Sequence, residues 1–370
     1  MNLFFSEELT NGGRQKEFDY AKLIAISFMI LIHMWEECTN IELSVLPKGF
    51  FNNFLQFCAG PLAAPMFMTA LGVGIPYSKH CTPSNLFKRG MNIFVLAYVL
   101  NILREALPYF IFSEINHNFD TDYFLLMLLN GDILQFAGLS FMLLALFIKL
   151  NLSPLVMTCI ALFMQLLGFF LSINFPVDTN VAYLFGLFYK TTNMCFPFLQ
   201  WFIYPCFGIL LATYLRHVIN KDNFYKVILT VGASILTVYS ISLYINGYNV
   251  VYVYSLARDV YYNQDIIKTL FIVLTIMVEL SIIHFLFGRR DYPKIDSLAA
   301  FAGKHLNTIY IVQWLLIGWL SNILYCCFDL RLEPAMSLCI GVLFIVLSFI
   351  IVKGYIFIKH KAYPVVNKIK

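Results

Sequence analysis

The chain carries the run LIAISFMILIHMW at residues 23–35, and this run decides the fold. With its neighbours it forms a largely apolar stretch over residues 19–36, and a helix of roughly 17 to 25 apolar residues crosses a bilayer. The run contains an ionisable side chain, His33, and Lys22 comes directly before it. Because ionisable groups are costly inside a bilayer, a histidine in such a run is a candidate for function.

The composition of the whole chain agrees with a membrane protein. Of the 370 residues, 60% are hydrophobic and only 12% are charged, and the mean hydropathy is +0.75. These values exclude a soluble multidomain protein and predict an all-α polytopic integral membrane protein with the lipid bilayer as its first partner. The net charge of +4 comes from short basic clusters between apolar runs, so we expect no nucleic-acid partner.

Ten apolar runs are long enough to be transmembrane helices. They lie near residues 19–36, 54–77, 91–112, 132–149, 154–173, 197–215, 227–245, 266–287, 306–326 and 335–358. We find no internal repeat or linker, so residues 1–370 are one membrane domain, with an N-terminal segment at 1–18 and a tail at 359–370. Most Lys and Arg fall on one side of the predicted membrane, which places both termini in the cytoplasm. The fourth span has the weakest signal, because Asn130, Gly131 and Asp132 interrupt an apolar run that begins at Tyr123.

His33 and Lys22 are eleven positions apart, close to three full helical turns. They therefore share one helix face at two depths, about 16 Å apart along the axis. Glu36 and Glu37 follow His33 at i+3 and i+4, so either carboxylate can reach the imidazole. A carboxylate on one ring nitrogen makes the other nitrogen a better general base for a hydroxyl or an amine. The alternative is a histidine that only packs against a neighbouring helix.

A second set of polar residues lies in the third and fourth spans. Asn101, Arg104 and Glu105 stand at i, i+3 and i+4, and an internal Arg/Glu pair must face the bundle interior or a water-filled cavity. This set either binds substrate or locks helices together. Asp132, followed by Gln135, is placed to cap the fourth helix, with substrate contact as the alternative. Five further polar residues stand alone in spans, and each is expected to form an interhelical hydrogen bond: Gln200, Glu279, His284, Gln313 and Asn322.

Two connecting segments carry candidate binding residues. The stretch SKHCTPSNLFKRG at residues 78–90 is a predicted cytoplasmic loop, and its Lys88 and Arg89 are candidates for nucleotide-phosphate contact, with a plain topology signal as the alternative. Residues 244–264 place several tyrosines around Arg258, which suits stacking on sugar rings, or an interfacial aromatic belt. No P-loop, dinucleotide fingerprint, serine-hydrolase motif or zinc-ligand pattern appears, so we expect no metal and no tightly bound cofactor.

The opening of the chain resembles that of the transmembrane acyltransferase superfamily. Arg14, Asp19, Lys22 and His33 match a signature in which an arginine, an aspartate and a basic residue precede an intramembrane histidine. In the acyltransferase-3 branch the basic residue is usually arginine, and Lys22 keeps the charge without the bidentate fork. Four later stretches are similar to the branch of heparan-alpha-glucosaminide N-acetyltransferase: residues 64–72, 131–135, 196–201 and 303–310. That relative has its key histidine in a loop after the first span; residues 34–50 here contain none, which leaves His33 as the base unless the chemistry differs.

The resemblance implies an acyltransferase with a cytoplasmic acyl-CoA co-substrate, usually acetyl-CoA, and an extracytoplasmic glycan or glycolipid acceptor. His33, oriented by Glu36 or Glu37, would then be the base, and four cations would hold the donor phosphates: Arg14, Lys22, Lys88 and Arg89. A transporter or flippase that uses intramembrane charges is the rival class. The Phe-, Ile- and Asn-rich composition favours a bacterial cytoplasmic membrane as the cell membrane that holds the chain. The sequence does not decide between O- and N-acylation, or between direct transfer and an acyl-histidine intermediate. It also leaves open whether the protein is a monomer or a homodimer.

Overall fold

The fold is a bundle of helices, seen in a computed structural model that describes residues 4–40, 50–78, 81–115, 117, 119–177, 182–191, 195–248 and 261–362. The helices are α1 Lys16–Cys38, α2 Phe50–Ala59, α3 Ala64–Tyr77, α4 Pro83–Asn101, α5 Leu107–Ile115, α6 Thr121–Leu129, α7 Ile133–Lys149, α8 Pro154–Asn174, α9 Ala182–Gly186, α10 Phe198–Trp201, α11 Ile203–Leu215, α12 Lys221–Ile245, α13 Ile266–Ile283, α14 Pro293–Asn322 and α15 Pro334–Ala362. Single π-helical turns follow α4, α13 and α14, at Ile102–Ala106, His284–Gly288 and Ile323–Cys327. The described residues contain no β-strand, as an all-α protein requires.

The number of spans agrees with the sequence. Within the described residues, nine helices are long and apolar enough to cross a membrane, and α6 with α7 makes a tenth if this pair is one span. The pair is bent by 41° at residues 130–132, where the sequence interrupts the apolar run. The prediction of about ten transmembrane helices in an all-α polytopic protein is confirmed, and the cytoplasmic position of both termini stays a prediction.

The predicted loop at residues 78–90 is wrong over most of its length. Helix α4 begins at Pro83, because the Thr82 side chain accepts a hydrogen bond from the Asn85 backbone N–H and proline suits the first helical turn. Lys88 and Arg89 therefore lie on a helix, about 100° apart around its axis. Helices α12 and α14 likewise begin before their predicted starts, at residues 221 and 293.

Helix α1 lies inside the bundle and carries the candidate functional residues. It packs against α14, α15, α2 and α3, while α3 crosses α11 and α4 crosses α7. The crossings are close because glycines face backbone at the contacts, notably Gly72 and Gly208 between α3 and α11. Helices α8, α12 and α15 expose most of their apolar surface, as helices that face lipid do. The interior helices are thus held rigidly around α1.

A charged network fixes the N-terminal end of α1. The Glu17 carboxylate is almost fully buried and accepts hydrogen bonds from Lys221 Nζ at 2.6 Å and from His284 Nδ1 at 2.7 Å. His284 Nε2 lies 2.7 Å from the Asp222 carboxylate, which also pairs with Arg289. The network joins α1 to α12 and to the π-helical turn after α13, so it holds three spans together at this end.

The polar residues predicted to stand alone in spans behave in four ways. Gln313 and His284 form interhelical hydrogen bonds, as predicted. Gln200 instead binds two loop segments, through the side chain of Asn263 and the backbone N–H of Lys190, and Asn322 bonds to a carbonyl of its own helix. Glu279 is 8% exposed, and neither carboxyl oxygen has a hydrogen-bond partner among the described residues.

We expect Glu279→Leu to raise the stability of the protein. A buried carboxyl without a partner has lost its hydration and gained nothing in return, so an apolar side chain of similar size should stabilise the bundle by about 1–3 kcal/mol. The measurement is the midpoint of thermal unfolding in detergent. Gln200→Leu is the matched control, because Gln200 is also buried but is hydrogen-bonded, and its midpoint should fall. A lower midpoint for Glu279→Leu would contradict the expectation.

Candidate active site

One cavity, of about 400 Å³, lies at the C-terminal end of α1 and has His33 on its wall; we call it the His33 cavity. Its lining comes mainly from α1, α6, α14, the π-helical turn after α4 and the residues between α6 and α7. It brings together most residues that the sequence proposed for catalysis and substrate binding: His33, Glu36, Glu37, Arg104, Glu105 and Asp132. The cavity therefore has one imidazole and four carboxylates near a buried guanidinium.

The His33 ring is held by helix α14. It stacks on the Trp314 ring with 4.2 Å between centroids and 28° between planes, and the Tyr310 ring meets it edge-on at 6.4 Å. Its Nδ1 lies 3.4 Å from the side-chain oxygen of Gln313 and 3.3 Å from the side-chain nitrogen of the same residue. When Nδ1–H donates to that oxygen, Nε2 carries the free lone pair that a general base needs.

The orienting partner of His33 differs from the prediction. Among the described residues the imidazole is hydrogen-bonded to Gln313, on another helix, rather than to Glu36 or Glu37 on its own helix. The ring also stacks on Trp314, which lies on the same helix as Gln313. Both carboxylates line the His33 cavity.

Arg104 is the centre of a buried ionic cluster. Its Nη1 donates to Asp132 Oδ2 at 2.8 Å, its Nε lies 2.8 Å from Glu105 Oε1, and its guanidinium carbon lies 4.1 Å above the Trp314 ring. The Tyr310 hydroxyl donates to the same Asp132 oxygen at 2.7 Å. The cluster joins α4, α7 and α14, and it supports the two aromatic rings that contact His33.

Asn101 and Gln135, two of the residues proposed to bind substrate, do not line the His33 cavity. The Asn101 side chain donates to the Asn130 carbonyl at 2.8 Å, so it holds the bend between α6 and α7. Gln135 completes a capping box with Asp132: its oxygen accepts from the Asp132 N–H at 3.1 Å, and Asp132 caps α7. Neither Asn101 nor Gln135 lines the His33 cavity, because both are used to shape the bend. The capping role proposed for Asp132 is confirmed.

The tyrosine-rich stretch falls partly outside the described residues, and Arg258 lies in that part. Tyr262, at its described end, lines the His33 cavity, and Lys190 Nζ lies 5.8 Å from the centre of its ring. Burial raises the pKa of Tyr262 well above its ordinary value, so the phenol stays neutral. A neutral aromatic face on the cavity wall suits contact with a sugar ring.

A second cavity, of about 260 Å³, lies at the N-terminal half of α1 and has Lys22 on its wall; we call it the Lys22 cavity. Arg89 and Lys304 also line it, which gives three cations. The Arg89 guanidinium lies 4.4 Å above the Phe141 ring. Burial raises the pKa of the Cys81 thiol on the same wall, so this cysteine stays protonated and is a poor nucleophile.

Two of the four proposed donor ligands lie outside the Lys22 cavity. Arg14 is paired with Asp19 at 2.6 Å and donates to the Ala300 carbonyl, so it braces the start of α1. Lys88 lines a separate apolar groove, because adjacent positions on α4 face different sides and Arg89 takes the cavity side. The sequence did not indicate Lys304 as a third cation of this cavity. It lies in one of the stretches that resemble the family, but no local pattern in the sequence shows that it lines the same cavity as Lys22.

An aromatic partition separates the two cavities, which share no lining residue. Phe67 lines the Lys22 cavity, and its ring centroid lies 6.2 Å from that of Tyr310. Tyr310 in turn contacts His33. Among the described residues no group of three or more His, Cys, Asp and Glu side chains is placed to hold a metal ion.

Comparison with known proteins gives one match. Residues 14–245 match the family described as heparan-alpha-glucosaminide N-acetyltransferase, catalytic. The match covers more than half of the chain and includes α1, the bend at residues 130–132 and Arg104. No curated protein and no solved structure matches the chain significantly. The chain belongs to the family of heparan-alpha-glucosaminide N-acetyltransferase catalytic domains.

Proposed function

We propose that this protein moves an acetyl group from acetyl-CoA in the Lys22 cavity to an acceptor in the His33 cavity, with His33 as the general base. Membership of the family implies an acetyltransferase, and the apolar helices make it a multi-pass membrane protein. The observation that carries the proposal is the position of Lys22 and His33 on one helix, each on the wall of a different cavity. The distribution of Lys and Arg supports a cell membrane with the Lys22 cavity on the cytoplasmic side.

The Lys22 cavity has the charge that a CoA ester needs. Coenzyme A carries several phosphate groups, and Lys22, Arg89 and Lys304 offer three cations to them. Lys22 and Lys304 have no ion pair with a described carboxylate, so both ammonium groups are available to a ligand. With the phosphates held there, the thin pantetheine arm can extend along α1 towards the aromatic partition.

The His33 cavity has the groups that acyl transfer needs. Nε2 of His33 takes the proton from an acceptor hydroxyl or amine as its oxygen or nitrogen attacks the thioester carbonyl. The tetrahedral intermediate then breaks its C–S bond, and the imidazolium returns the proton to the leaving CoA sulfur. The four carboxylates of the cavity favour an acceptor rich in hydroxyl or ammonium donors, as glycans and glycolipids are.

The two substrates meet at the aromatic partition. Because Phe67 and Tyr310 lie between the cavities, their side chains must shift for the thioester to reach His33. Direct transfer and an acyl-histidine intermediate both use this passage. In direct transfer both substrates occupy the cavities together, whereas an acyl-histidine intermediate forms before the acceptor is present.

The proposal is tested with purified protein reconstituted in proteoliposomes. Radiolabelled acetyl-CoA is supplied on one side, and glucosamine or a hydroxyl-bearing disaccharide on the other. We expect acetylated acceptor that depends on the protein and on acetyl-CoA. Acceptor that crosses the membrane without modification would support the rival transporter and would overturn the proposal.

We expect Lys22→Ala to raise the KM for acetyl-CoA by about 10- to 150-fold, since the loss of one hydrogen bond to a charged group costs roughly 1.5–3 kcal/mol. The value of kcat should change little, because Lys22 is distant from the reacting carbon. Initial rates at varied acetyl-CoA concentration measure both constants. Lys88→Ala is the matched control, because Lys88 does not line the Lys22 cavity. An unchanged KM in Lys22→Ala would remove Lys22 from donor binding.

A further inference from the structure

An apolar groove of about 920 Å³ lies where α4 begins and α7 ends. The two helices are antiparallel, because Gly90 in the first half of α4 meets Met142 of α7 while Asn101 at the end of α4 bonds to Asn130, just before α7. The start of α4 and the end of α7 therefore lie on the same side of the bundle. The floor of the groove is apolar and is formed mainly by Phe87, Leu139, Met142, Leu143, Leu146 and Phe198. Lys88 and Lys149 line it as well, and the groove shares no residue with the Lys22 cavity although the same two helices form part of both.

The two lysines carry charge that the protein does not balance. Some other cations on this side are paired, such as Lys16 with Asp291 and Asp296. Lys88 and Lys149 form no ion pair with the described carboxylates, and the groove has no acidic residue among its lining. Lys149 lies in the last turn of α7, where the helix dipole favours a cation, whereas Lys88 lies in the second turn of α4 and gains no such support from its own helix. The groove therefore combines an apolar floor with an unbalanced positive charge.

Among the ligands with an anionic head and an apolar tail, a membrane lipid is the one that always surrounds such a groove. The anionic head must lie at the level of the helix ends, which is where Lys88 and Lys149 are. Free phosphate would meet the two lysines but would leave the apolar floor uncovered. A second copy of the chain across a two-fold axis would bring two unbalanced lysine pairs together, which is unfavourable.

We propose that this groove binds one anionic phospholipid, with the phosphodiester between Lys88 and Lys149 and an acyl chain along the apolar floor. The hydroxyls of Thr82 and Ser84, which also line the groove, are available as donors to the headgroup. A zwitterionic lipid fills the same floor but gains less from the lysines, because its own cation opposes them. This lipid site does not rest on the proposed acetyl transfer, so an experiment can support one proposal and contradict the other.

The test is native mass spectrometry of the full-length protein in detergent, with palmitoyl-oleoyl phosphatidylglycerol and the matching phosphatidylcholine added in equal amounts. We expect one retained phosphatidylglycerol, with a preference over phosphatidylcholine on the order of tenfold, since each lysine near a membrane surface favours an anionic lipid several-fold. Lys88→Gln combined with Lys149→Gln should bring the preference close to one. The matched control is Lys226→Gln combined with Lys361→Gln, because these lysines are exposed and lie outside the groove, and its preference should equal that of the unchanged protein.

A second variant tests the apolar floor with the lysines intact. Leu146 is 48% exposed and lines the groove, so Leu146→Trp should fill the floor without disturbing the core and should remove the retained lipid. Equal retention of the two lipids by the unchanged protein would overturn the proposal. The same conclusion follows if the double glutamine variant keeps its preference, or if the protein forms dimers that lipid displaces, which would make the groove an interface between copies.

Discussion

Replacing His33 with alanine is expected to abolish acetyl transfer, with kcat at least about 100-fold lower than in the unchanged protein. Among the described residues that line the His33 cavity, His33 is the only one whose side chain is basic with a pKa ordinarily near neutrality, and Gln313 and Trp314 contact its ring. Without it, the acceptor proton is left to water or to one of the cavity carboxylates, and no imidazole on the described wall can take it. The measurement is acetylated product in proteoliposomes that contain labelled acetyl-CoA and glucosamine.

Three controls separate loss of the base from loss of the fold. Binding of acetyl-CoA to His33→Ala should be unchanged, because the donor cations line the other cavity. Added imidazole should restore part of the activity, since the substitution leaves a space for it beside Trp314. Gln313→Leu, which removes only the orienting partner, should lower kcat less than His33→Ala does and leave the KM for acetyl-CoA unchanged. Normal activity in a folded His33→Ala protein would remove His33 from the mechanism.

The sequence could place Lys22 and His33 correctly relative to each other because both lie on one uninterrupted helix. Eleven positions on a regular helix fix both the shared face and the separation along the axis. The same holds for the bend before α7, where a polar tripeptide ends one apolar run and Asp132 starts the next helix. Features that depend on helix geometry and capping are local, and a single sequence carries them.

The partners of these residues could not be predicted, because they come from elsewhere in the chain. Gln313 is 280 positions from His33, and a lone glutamine in a span does not indicate which helix it faces. The placement of Lys88 and Arg89 in different sites was not predicted for another reason. The basic cluster was interpreted as a loop, because the N-cap at Thr82 that starts the helix is a weak signal in the sequence. Because α4 begins at Pro83, Lys88 and Arg89 are adjacent helical residues, and they lie on different sides of the helix.

The close crossing of α3 and α11 supports the Lys22 cavity from behind. Helix α3 lines that cavity with Phe67 and Gly74, and its opposite face meets α11 at Gly72. A Cβ atom added at Gly72 would overlap the backbone carbonyl of Pro205, and one added at Gly208 would overlap that of Thr69. Backbone atoms cannot rotate away as side chains do, so the two helices would have to separate.

Gly72→Ala is therefore expected to destabilise the protein by about 3 kcal/mol or more, at the upper end of overpacking costs, and to lower the midpoint of thermal unfolding by roughly 4 °C or more. Gly74→Ala is the matched control, because it lies two positions further on the same helix and an added Cβ meets no atom within 4 Å. Its midpoint should stay within about 2 °C of the unchanged protein, since glycine and alanine differ in helix propensity by only about 1 kcal/mol. Gly208→Ala should reproduce the loss from the other helix. If Gly72→Ala and Gly74→Ala unfold at the same temperature, the helices are not in close contact at Gly72, and the wall of the Lys22 cavity is held in another way.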